Sequence, residues 1–367
     1  MYESELTLIK ELRASLHACP EISGSERRTK AALIGFLRIH TTLELHECGG
    51  GFYAAKRSGS AEPAIVLRAD YDALALPGGG AAHLCGHDGH AAALCGAALM
   101  LEHMKASRDV LLLFQPAEET GAGAVGCCEI FGRESVGEIY GLHNLPGFPL
   151  GEVYVRAGTF ACASLGLTLS LHGKATHAAY PENGISPASA LGELLCRLPE
   201  LSAREKYSGM VLCTVIGAQM GEKAFGAAAA AAELWLTLRG EHDSDLEALR
   251  ASIIGCAGEL AAGSRLGFEY SEQDIFPSTE NAPECAAKVM TCCGGHELPE
   301  PMRWSEDFGH YLKHCRGAFF GIGAGEDQAP LHTDGYEYPD ALLGPAINAF
   351  MRIVSGDGKI NKKYTNK

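Results

Sequence analysis

The chain has 367 residues, of which 20% are charged, and a formal net charge of -15. This length exceeds the usual size of one hydrophobic core and predicts two domains. The acidic balance argues against nucleic acid or an anionic membrane surface as a partner. No apolar run reaches membrane-spanning length, and the amphipathic beginning of the chain lacks the pattern of a signal peptide. We therefore expect a cytoplasmic protein whose cysteines are reduced.

The first part of the chain alternates short apolar runs with helical patterns. Buried strands are predicted at Ala64–Ala69, Val110–Phe114 and Glu138–Leu142, and a helix is predicted at Gly89–Met104. Strands that alternate with helices indicate a mainly parallel sheet covered on both faces, which is an α/β fold.

Polar and reactive residues follow each of these strands. Ligands in open α/β sheets bind beyond the carboxyl ends of the strands, so these side chains are expected to share one cleft. The residues concerned are Asp70, Asp72, Gln115, Glu118, Glu119, His143 and Asn144.

The pattern changes near Ser164 and predicts a second, smaller domain. Leu165–Leu171 alternates between leucine and small or polar residues, as a strand with one wet face does. The next segments predict helix, two strands, helix and strand, which form a compact α+β unit of common domain size. Because helical and strand patterns resume at Asn281–Val354, the smaller domain is expected to be inserted into the larger one. Its later segments are Pro187–Leu201, Met210–Ile216, Ala227–Leu238, Asp243–Ala262 and Gly267–Tyr270.

The densest group of reactive side chains lies at His83–His90. A cysteine thiolate and neutral imidazoles are good ligands for zinc and similar ions, which makes Cys85 and His87 candidate ligands. Gly86 and Gly89 are expected to bend the backbone so that the side chains converge. The alternative is a helix-capping turn that happens to contain histidines.

Glu118 and Glu119 are adjacent carboxylates that follow a predicted strand. Adjacent acids are costly to bring together unless cations hold them. Since neighbouring side chains point in different directions, one can bind a metal ion while the other accepts a proton from bound water. The alternative is a solvated loop with two acids.

His143, His177 and His332 are each weak evidence alone, because a lone histidine is more often structural. His143 and His332 gain weight because the other candidate ligands require partners. One thiolate, three imidazoles and one carboxylate would suit a pair of divalent ions that share a bridging water. His177, beside small residues after a strand, could reach a cleft between domains or cap a turn.

Together these motifs resemble the M20 metallopeptidase family, in particular its amidohydrolase branch. That branch includes hippurate hydrolases, indole-acetyl-amino-acid hydrolases and N-acetyldiaminopimelate deacetylases. The motifs occur in the family's order over nearly the whole chain, and their combination is highly specific. The matching segments are Arg68–Leu74, Cys85–His90, Phe114–Glu119, Gly141–His143, Gly173–Pro181, Ser305–Phe308 and Leu331–His332.

The resemblance implies a role for each candidate residue. It implies two divalent ions, which could be zinc, manganese, cobalt or nickel, and Glu118 as the general base. It implies that Asp72 supports the site from behind, that His177 stabilises the oxyanion and that Arg239 meets the substrate carboxylate. The metal ligands that it implies are Cys85, His87, Glu119, His143 and His332.

The resemblance also implies a division of the chain and an assembly. A catalytic metal-binding domain is expected at 1–162 and 274–357, and a lid domain that forms a homodimer at 163–273. A flexible tail is expected at 358–367. The chain departs from the family's pattern in a short glycine-rich segment at 78–80, and in Gly221–Ala227, where the family usually has an Asn followed by Ile-Pro.

The function that follows is hydrolysis of the amide bond of an N-acyl amino acid, as in aminoacylases and deacetylases, by a hydroxide that bridges the two ions. A small peptide is the alternative substrate, which would make the chain a dipeptidase or carboxypeptidase. A metal-binding protein that has lost turnover is an alternative from another class. The intact pair of Glu118 and Glu119 argues against it.

Overall fold

The computed structural model describes residues 3–356, and their contacts divide the chain into two compact units. Among these residues, the first unit contains 3–160, Thr279–Pro301 and 306–356. The second unit contains Ala161–Ser278 and Met302–Ser305. None of the helices within residues 3–356 combines the length and the hydrophobicity that a membrane span requires. The predicted tail at 358–367 lies outside these residues.

Ten α-helices and eighteen strands occur within residues 3–356. The helices are α1 Glu3–His17, α2 Arg27–His40, α3 His87–Glu102, α4 Gly123–Cys127, α5 Ile130–Arg133, α6 Ala188–Leu201, α7 Asp243–Gly263, α8 Pro283–Cys293, α9 Gly309–Leu312 and α10 Leu343–Ser355. The strands are β1 Glu44–Cys48, β2 Gly51–Lys56, β3 Ala64–Asp70, β4 Leu74–Ala75, β5 Ala81–Ala82, β6 Val110–Gln115, β7 Val136–Pro146, β8 Val153–Val155, β9 Gly158–Ala161, β10 Ala163–His172, β11 Thr176–His177, β12 Val211–Met220, β13 Ala227–Ala228, β14 Ala231–Gly240, β15 Gly267–Phe276, β16 Thr279–Asn281, β17 His296–Glu297 and β18 Arg316–Gly325.

The first unit is built on an eight-stranded, mainly parallel sheet. Its strand order is β1-β2-β6-β3-β7-β18-β8-β17, and the central pairs β6–β3, β3–β7 and β7–β18 are parallel. Every residue of β3 and β6 is buried, so both faces of the sheet centre are covered. Helix α3 packs against β3 and is itself covered by α1 and α10. The prediction of an α/β fold with a mainly parallel sheet is confirmed.

Strand β7 is longer than the sequence pattern predicts. The strand predicted at Glu138–Leu142 extends to Pro146, because its pairing with β18 continues through His143 and Asn144. His143 and Asn144 therefore lie within the strand and not after it. The strand backbone fixes the direction of the His143 side chain, which a loop position would have left free.

The segment before α3 turns sharply at Gly86. Gly86 precedes the helix with a φ of 100°, and a Cβ atom there would lie 2.4 Å from Asn144 Oδ1. Gly86 therefore provides the predicted bend. Gly89 does not, because it lies inside α3, which begins two residues before the predicted start. A Cβ atom at Gly89 would lie 2.3 Å from the Tyr338 ring, so this glycine is required for close packing.

The second unit is a four-stranded antiparallel sheet with two helices. Its strand order is β12-β14-β10-β15, and α6 and α7 pack against one face. The alternation seen in the sequence places the leucines of β10 and β14 on that face, where they form a separate core. The opposite face leaves Trp235 exposed to solvent.

Candidate metal centre

The predicted metal ligands lie beyond or near the carboxyl ends of the central strands in the first unit. Cys85 precedes α3, and His87 is the first residue of that helix. Glu119 lies in the loop after β6, His143 lies in β7, and His332 lies in the loop between β18 and α10. Residues from distant parts of the sequence therefore meet at one edge of the sheet, where α/β proteins bind ligands.

The structure brings these five side chains together around Cys85. Cys85 Sγ lies 3.3 Å from His143 Nε2 and 3.4 Å from His332 Nε2. Glu119 Oε1 lies 3.6 Å from His332 Nε2 and 3.8 Å from His87 Nε2. The donors form two groups of three, and both contain Cys85. One group adds His87 and His143, and the other adds Glu119 and His332.

The chemistry of this donor set fits a pair of divalent cations. Burial, and then the charge of Glu119, raise the pKa of the Cys85 thiol well above its usual value. Burial likewise raises the pKa of Glu119 to about 7. Among the described residues, neither His87 Nε2 nor Glu119 Oε1 has a hydrogen-bond partner, although both atoms are buried. Buried ligand atoms that face one another without partners are costly unless a cation binds them.

Asp72 orients two of the candidate ligands from behind the centre. His87 Nδ1 donates to Asp72 Oδ1 at 2.9 Å, which leaves His87 Nε2 directed at the other ligands. The backbone N–H of Glu119 donates to Asp72 Oδ2 at 3.0 Å, and Ser23 Oγ donates to the same oxygen at 2.7 Å. Burial alone would raise the pKa of Asp72, but hydrogen bonds from His87 and Ser23 hold it below its usual value.

The loop that carries Glu118 is held in a strained conformation. Ala117 has a φ of 52°, a conformation that residues other than glycine rarely adopt, and its N–H donates to Glu26 Oε1 at 2.8 Å. His332 shares this feature, with a φ of 61° and an N–H that donates to Leu84 O at 2.8 Å. These hydrogen bonds stabilise the strained backbone. The backbone in turn fixes where the side chains of Glu118 and His332 point.

Glu118 is buried beside the ligands; it belongs to neither of the two groups around Cys85, but its carboxylate forms another group of possible donors with His87 and Glu119. Its Oε2 atom lies 3.9 Å from His87 Nε2, and the N–H of Asp307 lies 3.4 Å from its Oε1 atom. Burial raises the pKa of Glu118 well above its usual value, and the charges of Glu306 and Glu119 raise it further. A carboxyl group with a raised pKa next to a metal centre is suited to accept and return a proton.

A chain of hydrogen-bonded groups lies behind the centre; Asp70 and Asn144 were expected near the cleft, but the hydrogen bonds that join them were not predicted. Asp70 lies 2.6 Å from Arg68 Nη1 and 2.7 Å from His90 Nδ1. Asn144 Oδ1 lies 2.6 Å from His90 Nε2, and Asn144 Nδ2 donates to Tyr336 OH at 2.6 Å. The chain links β3, α3, β7 and the loop after His332. Its sequence signal is Arg68 in an otherwise apolar strand, because a buried charge requires partners.

Two predicted site residues, His177 and Arg239, lie in the second unit. His177 is exposed at the end of the short strand β11, and its Nδ1 atom accepts a hydrogen bond from the Ala179 N–H at 3.0 Å. A neutral His177 ring therefore carries its proton on Nε2. Arg239 Nη1 donates to Arg303 O at 3.0 Å and to Ser305 Oγ at 2.9 Å. Arg239 also lines a groove of about 540 Å³ within this unit.

The sequence of this chain matches a known family over most of its length. Residues 66–356 match the family model of peptidase family M20/M25/M40. The chain therefore belongs to this family, and its class is that of the metal-dependent amidohydrolases. The family resemblance inferred from the motifs is confirmed.

Individual relatives are similar over most of both chains. The N-acetyl-L-cysteine deacetylase of Bacillus subtilis strain 168 is 30% identical, over 88% of this chain and 82% of the relative. An N-acetyldiaminopimelate deacetylase of Bacillus velezensis is 27% identical, over 97% of this chain and 98% of the relative. The solved structure of Bacillus subtilis YXEP, described as a dinuclear metal binding peptidase from the M20 family, has a TM-score of 0.81 at 24% identity, with 96% and 98% covered.

Proposed function

We propose that this chain is a two-metal amidohydrolase that cleaves the amide bond of an N-acyl amino acid and releases a carboxylic acid and a free amino acid. The observation that carries the proposal is the pair of donor groups that share Cys85, with Glu118 buried beside them. The deacetylases among the relatives support an N-acyl amino acid over a peptide as the substrate.

Glu118 is the proposed proton carrier of the reaction. Two divalent ions held by Cys85, His87, Glu119, His143 and His332 would activate a water and polarise the amide carbonyl. Glu118 accepts the proton of the attacking water and returns it to the nitrogen of the leaving amino acid. Its burial keeps bulk water from competing for that proton, and the strained backbone at Ala117 fixes its position.

His177 and Arg239 are proposed to act on the substrate. Since His177 Nδ1 accepts the Ala179 N–H, its Nε2–H is a donor that can stabilise the oxyanion of the tetrahedral intermediate. Arg239 is proposed to bind the substrate carboxylate, which a guanidinium recognises with paired hydrogen bonds. The proposal retains the catalytic domain at 1–162 and 274–357, the lid domain at 163–273 and a cytoplasmic location.

A homodimer formed through the second unit is part of the proposal. Strand β12 lies at an edge of the antiparallel sheet, and unpaired edge strands are ready to pair with another chain. Val215, Ile216 and Met220 on this strand are exposed by 46%, 62% and 43%. Exposed apolar side chains on an unpaired edge support docking of a second copy there.

The test of this function combines metal content with substrate preference. The metal-free protein is supplied in turn with zinc, manganese, cobalt and nickel, and assayed on N-acetyl and N-benzoyl amino acids and on dipeptides. We expect hydrolysis of the N-acyl amino acids and little of the dipeptides. A preference for dipeptides would favour the alternative of a dipeptidase or carboxypeptidase. No hydrolysis with any ion would favour the alternative of a metal-binding protein that has lost turnover.

A cysteine exchange tests the ligand set itself. Cys85→Ser is expected to lose bound metal and activity, because the shared thiolate is removed from both donor groups. Cys196→Ser is the matched control, since Cys196 is an exposed thiol in the second unit. Cys85→Ser protein with the metal content and rate of the control would overturn the assignment.

A further inference from the structure

The groove on the open face of the second unit is larger than the substrate carboxylate that Arg239 is proposed to bind. It has a volume of about 540 Å³, and residues of the second unit alone line it, mainly from β10, β14 and β15. A carboxylate group fills only a small part of such a volume. The proposed reaction gives the remainder of the groove no role.

The floor of the groove is formed by small residues of the central strand β10. Leucines alternate along this strand with Ser164, Gly166 and Thr168, so the leucines enter the core and the small residues face the groove. Larger side chains stand on the two neighbouring strands, Trp235 on β14 and Phe276 on β15. Small residues between larger ones leave room for a ligand.

Trp235 is held in place although its side chain is partly exposed. Its Nε1–H donates to Glu233 Oε2 at 3.1 Å. A Cβ atom at Gly217 would lie 2.7 Å from the indole ring, so the ring packs directly over this glycine. Trp235 is nevertheless 36% exposed. A ring that is fixed on one side and open on the other is a preformed apolar surface, which loses little conformational entropy when a ligand packs against it.

Arg239 carries a positive charge that no carboxylate balances. Its Nη1 atom donates to two uncharged oxygens, Arg303 O and Ser305 Oγ, and the guanidinium forms no ion pair with any residue that the structure describes. Burial lowers the pKa of Arg239, an effect that the Cys162 thiol opposes but no carboxylate does. A half-buried guanidinium without an acidic partner favours an anionic ligand, and a carboxylate matches its geometry.

The groups attached to the α-carbon of the substrate decide what enters the groove. The carboxylate is proposed to bind Arg239, and the amide has to reach the metal ligands, which belong to the first unit. The side chain is the remaining group, and it is free to lie along the groove. Arg239 pairs with Ser164 and Trp235 with Thr168, which separates them by roughly 13 Å of strand. A large side chain is therefore needed to contact Trp235.

We propose that the groove binds the side chain of the amino acid that the reaction releases, and that it selects large uncharged side chains such as that of phenylalanine. This inference rests on the proposed function and adds the class of amino acid to it. Trp235 is the specificity-determining residue, and Phe276 packs against the same side chain. Asp274 also lines the groove and opposes an acidic side chain.

Two substrates with the same acyl group test the groove. N-acetyl-L-phenylalanine and N-acetyl-L-alanine are assayed on the full-length, metal-loaded enzyme, and we expect a higher kcat/KM for the first. Trp235→Ala should lower this preference about tenfold, while kcat/KM for N-acetyl-L-alanine stays the same, because a methyl group does not reach Trp235. Thr237→Phe fills the groove between Arg239 and Trp235 and should lower the preference at least as much.

Tyr270→Ala is the matched control for Trp235→Ala. Tyr270 is also an exposed aromatic residue of this sheet, but it lies on the opposite face, where the guanidinium of Arg250 from α7 is 5.8 Å from the centre of its ring. The control should keep the preference of the natural sequence. An unchanged preference in Trp235→Ala overturns the inference, and so does an equal loss in Tyr270→Ala.

Equilibrium dialysis separates a failure of this inference from a failure of the proposed function. The metal-loaded enzyme is dialysed against L-phenylalanine and L-alanine, which are products of the reaction and are not consumed by it. Tighter binding of L-phenylalanine that is lost in Trp235→Ala supports the groove, even if neither substrate is hydrolysed and the proposed function fails. Equal binding of the two amino acids to the natural sequence overturns the inference, even if both substrates are hydrolysed.

Discussion

The two units differ in how much of their sheet is exposed. In the first unit both faces of the central strands are buried, and the candidate ligands are oriented by buried groups such as Asp72. In the second unit α6 and α7 cover one face, and the other leaves Trp235 exposed and Arg239 along an open groove. Burial fixes a reactive side chain before any ligand binds, whereas an open face lets it adjust. Substitutions in the first unit should therefore change metal binding or proton transfer, and those in the second should change only what happens to the substrate.

The largest effect is expected at Glu118, which separates proton transfer from metal binding within the first unit. Glu118→Gln keeps the shape of the side chain but removes the base, so kcat should fall by between about 10² and 10⁴. Bound metal should stay near the natural content, because Glu118 is not among the proposed ligands. Steady-state kinetics and elemental analysis measure both.

Glu62→Gln serves as the control for this prediction, since Glu62 is an exposed glutamate of the first unit. Glu62→Gln should change neither kcat nor the content of bound metal. If Glu118→Gln retained full activity, the residue would not be the base. If it lost metal as Cys85→Ser is expected to, Glu118 would belong with the ligands.

His177 in the second unit is expected to give the next largest effect. Removing one donor to an oxyanion typically lowers kcat by about 10²- to 10³-fold, so His177→Ala should lose activity by that factor with unchanged metal content. His172→Ala, an exposed histidine at the end of β10 in the same unit, should behave as the natural sequence does. Loss of metal in His177→Ala would erase the contrast between the units, because His177 would then contribute to the centre.

In the first unit, the candidate ligands could be predicted from the sequence more completely than the contacts that support them. Cys85 and His87 were candidate ligands because a thiolate and imidazoles at such spacing suit zinc and similar ions, whereas the choice of Glu119 over Glu118 rests on the family resemblance. The end of β7 could not be predicted, since its length depends on pairing with β18, which lies far along the chain. The hydrogen bonds that run from Arg68 through Asp70 and Asn144 to Tyr336 could not be predicted either, because hydrogen bonds between distant residues leave no periodic pattern.

The second unit was predicted mainly from alternation. The buried leucines of β10 and β14 follow the period of two that the sequence contains, so these strands of the sheet could be predicted. The roles of His177 and Arg239 rest on the family resemblance alone. Periodicity assigns a residue to a face of a strand, but it does not say which molecule that face meets.

Substitution of Asp72 tests whether the buried groups that orient the metal ligands matter as much as the comparison of the two units implies. Asp72→Asn should weaken metal binding by about 10- to 100-fold, because the group that orients His87 and the Glu119 backbone loses its charge. Competition with a chelator of known affinity measures the change. Asp109→Asn is the control. Asp109 precedes β6, at the opposite end of the strand from Glu119, and its Oδ1 atom accepts a hydrogen bond from the Ser58 N–H at 2.7 Å. Equal affinities in the two variants would mean that the ligands hold their positions without Asp72.

Substitution of Arg239 should have the smallest effect on the reaction. Unlike substitution of Asp72, it should not change metal binding. Its guanidinium is held by Arg303 O and Ser305 Oγ within the second unit, so Arg239→Ala should leave the metal centre untouched. If Arg239 binds the substrate carboxylate equally in the ground and transition states, KM should rise about tenfold while kcat stays nearly constant. Arg204→Ala is the matched control, because Arg204 also donates to backbone carbonyl oxygens in this unit. A fall in kcat at constant KM would assign Arg239 to the transition state, and an unchanged KM would remove it from the substrate site.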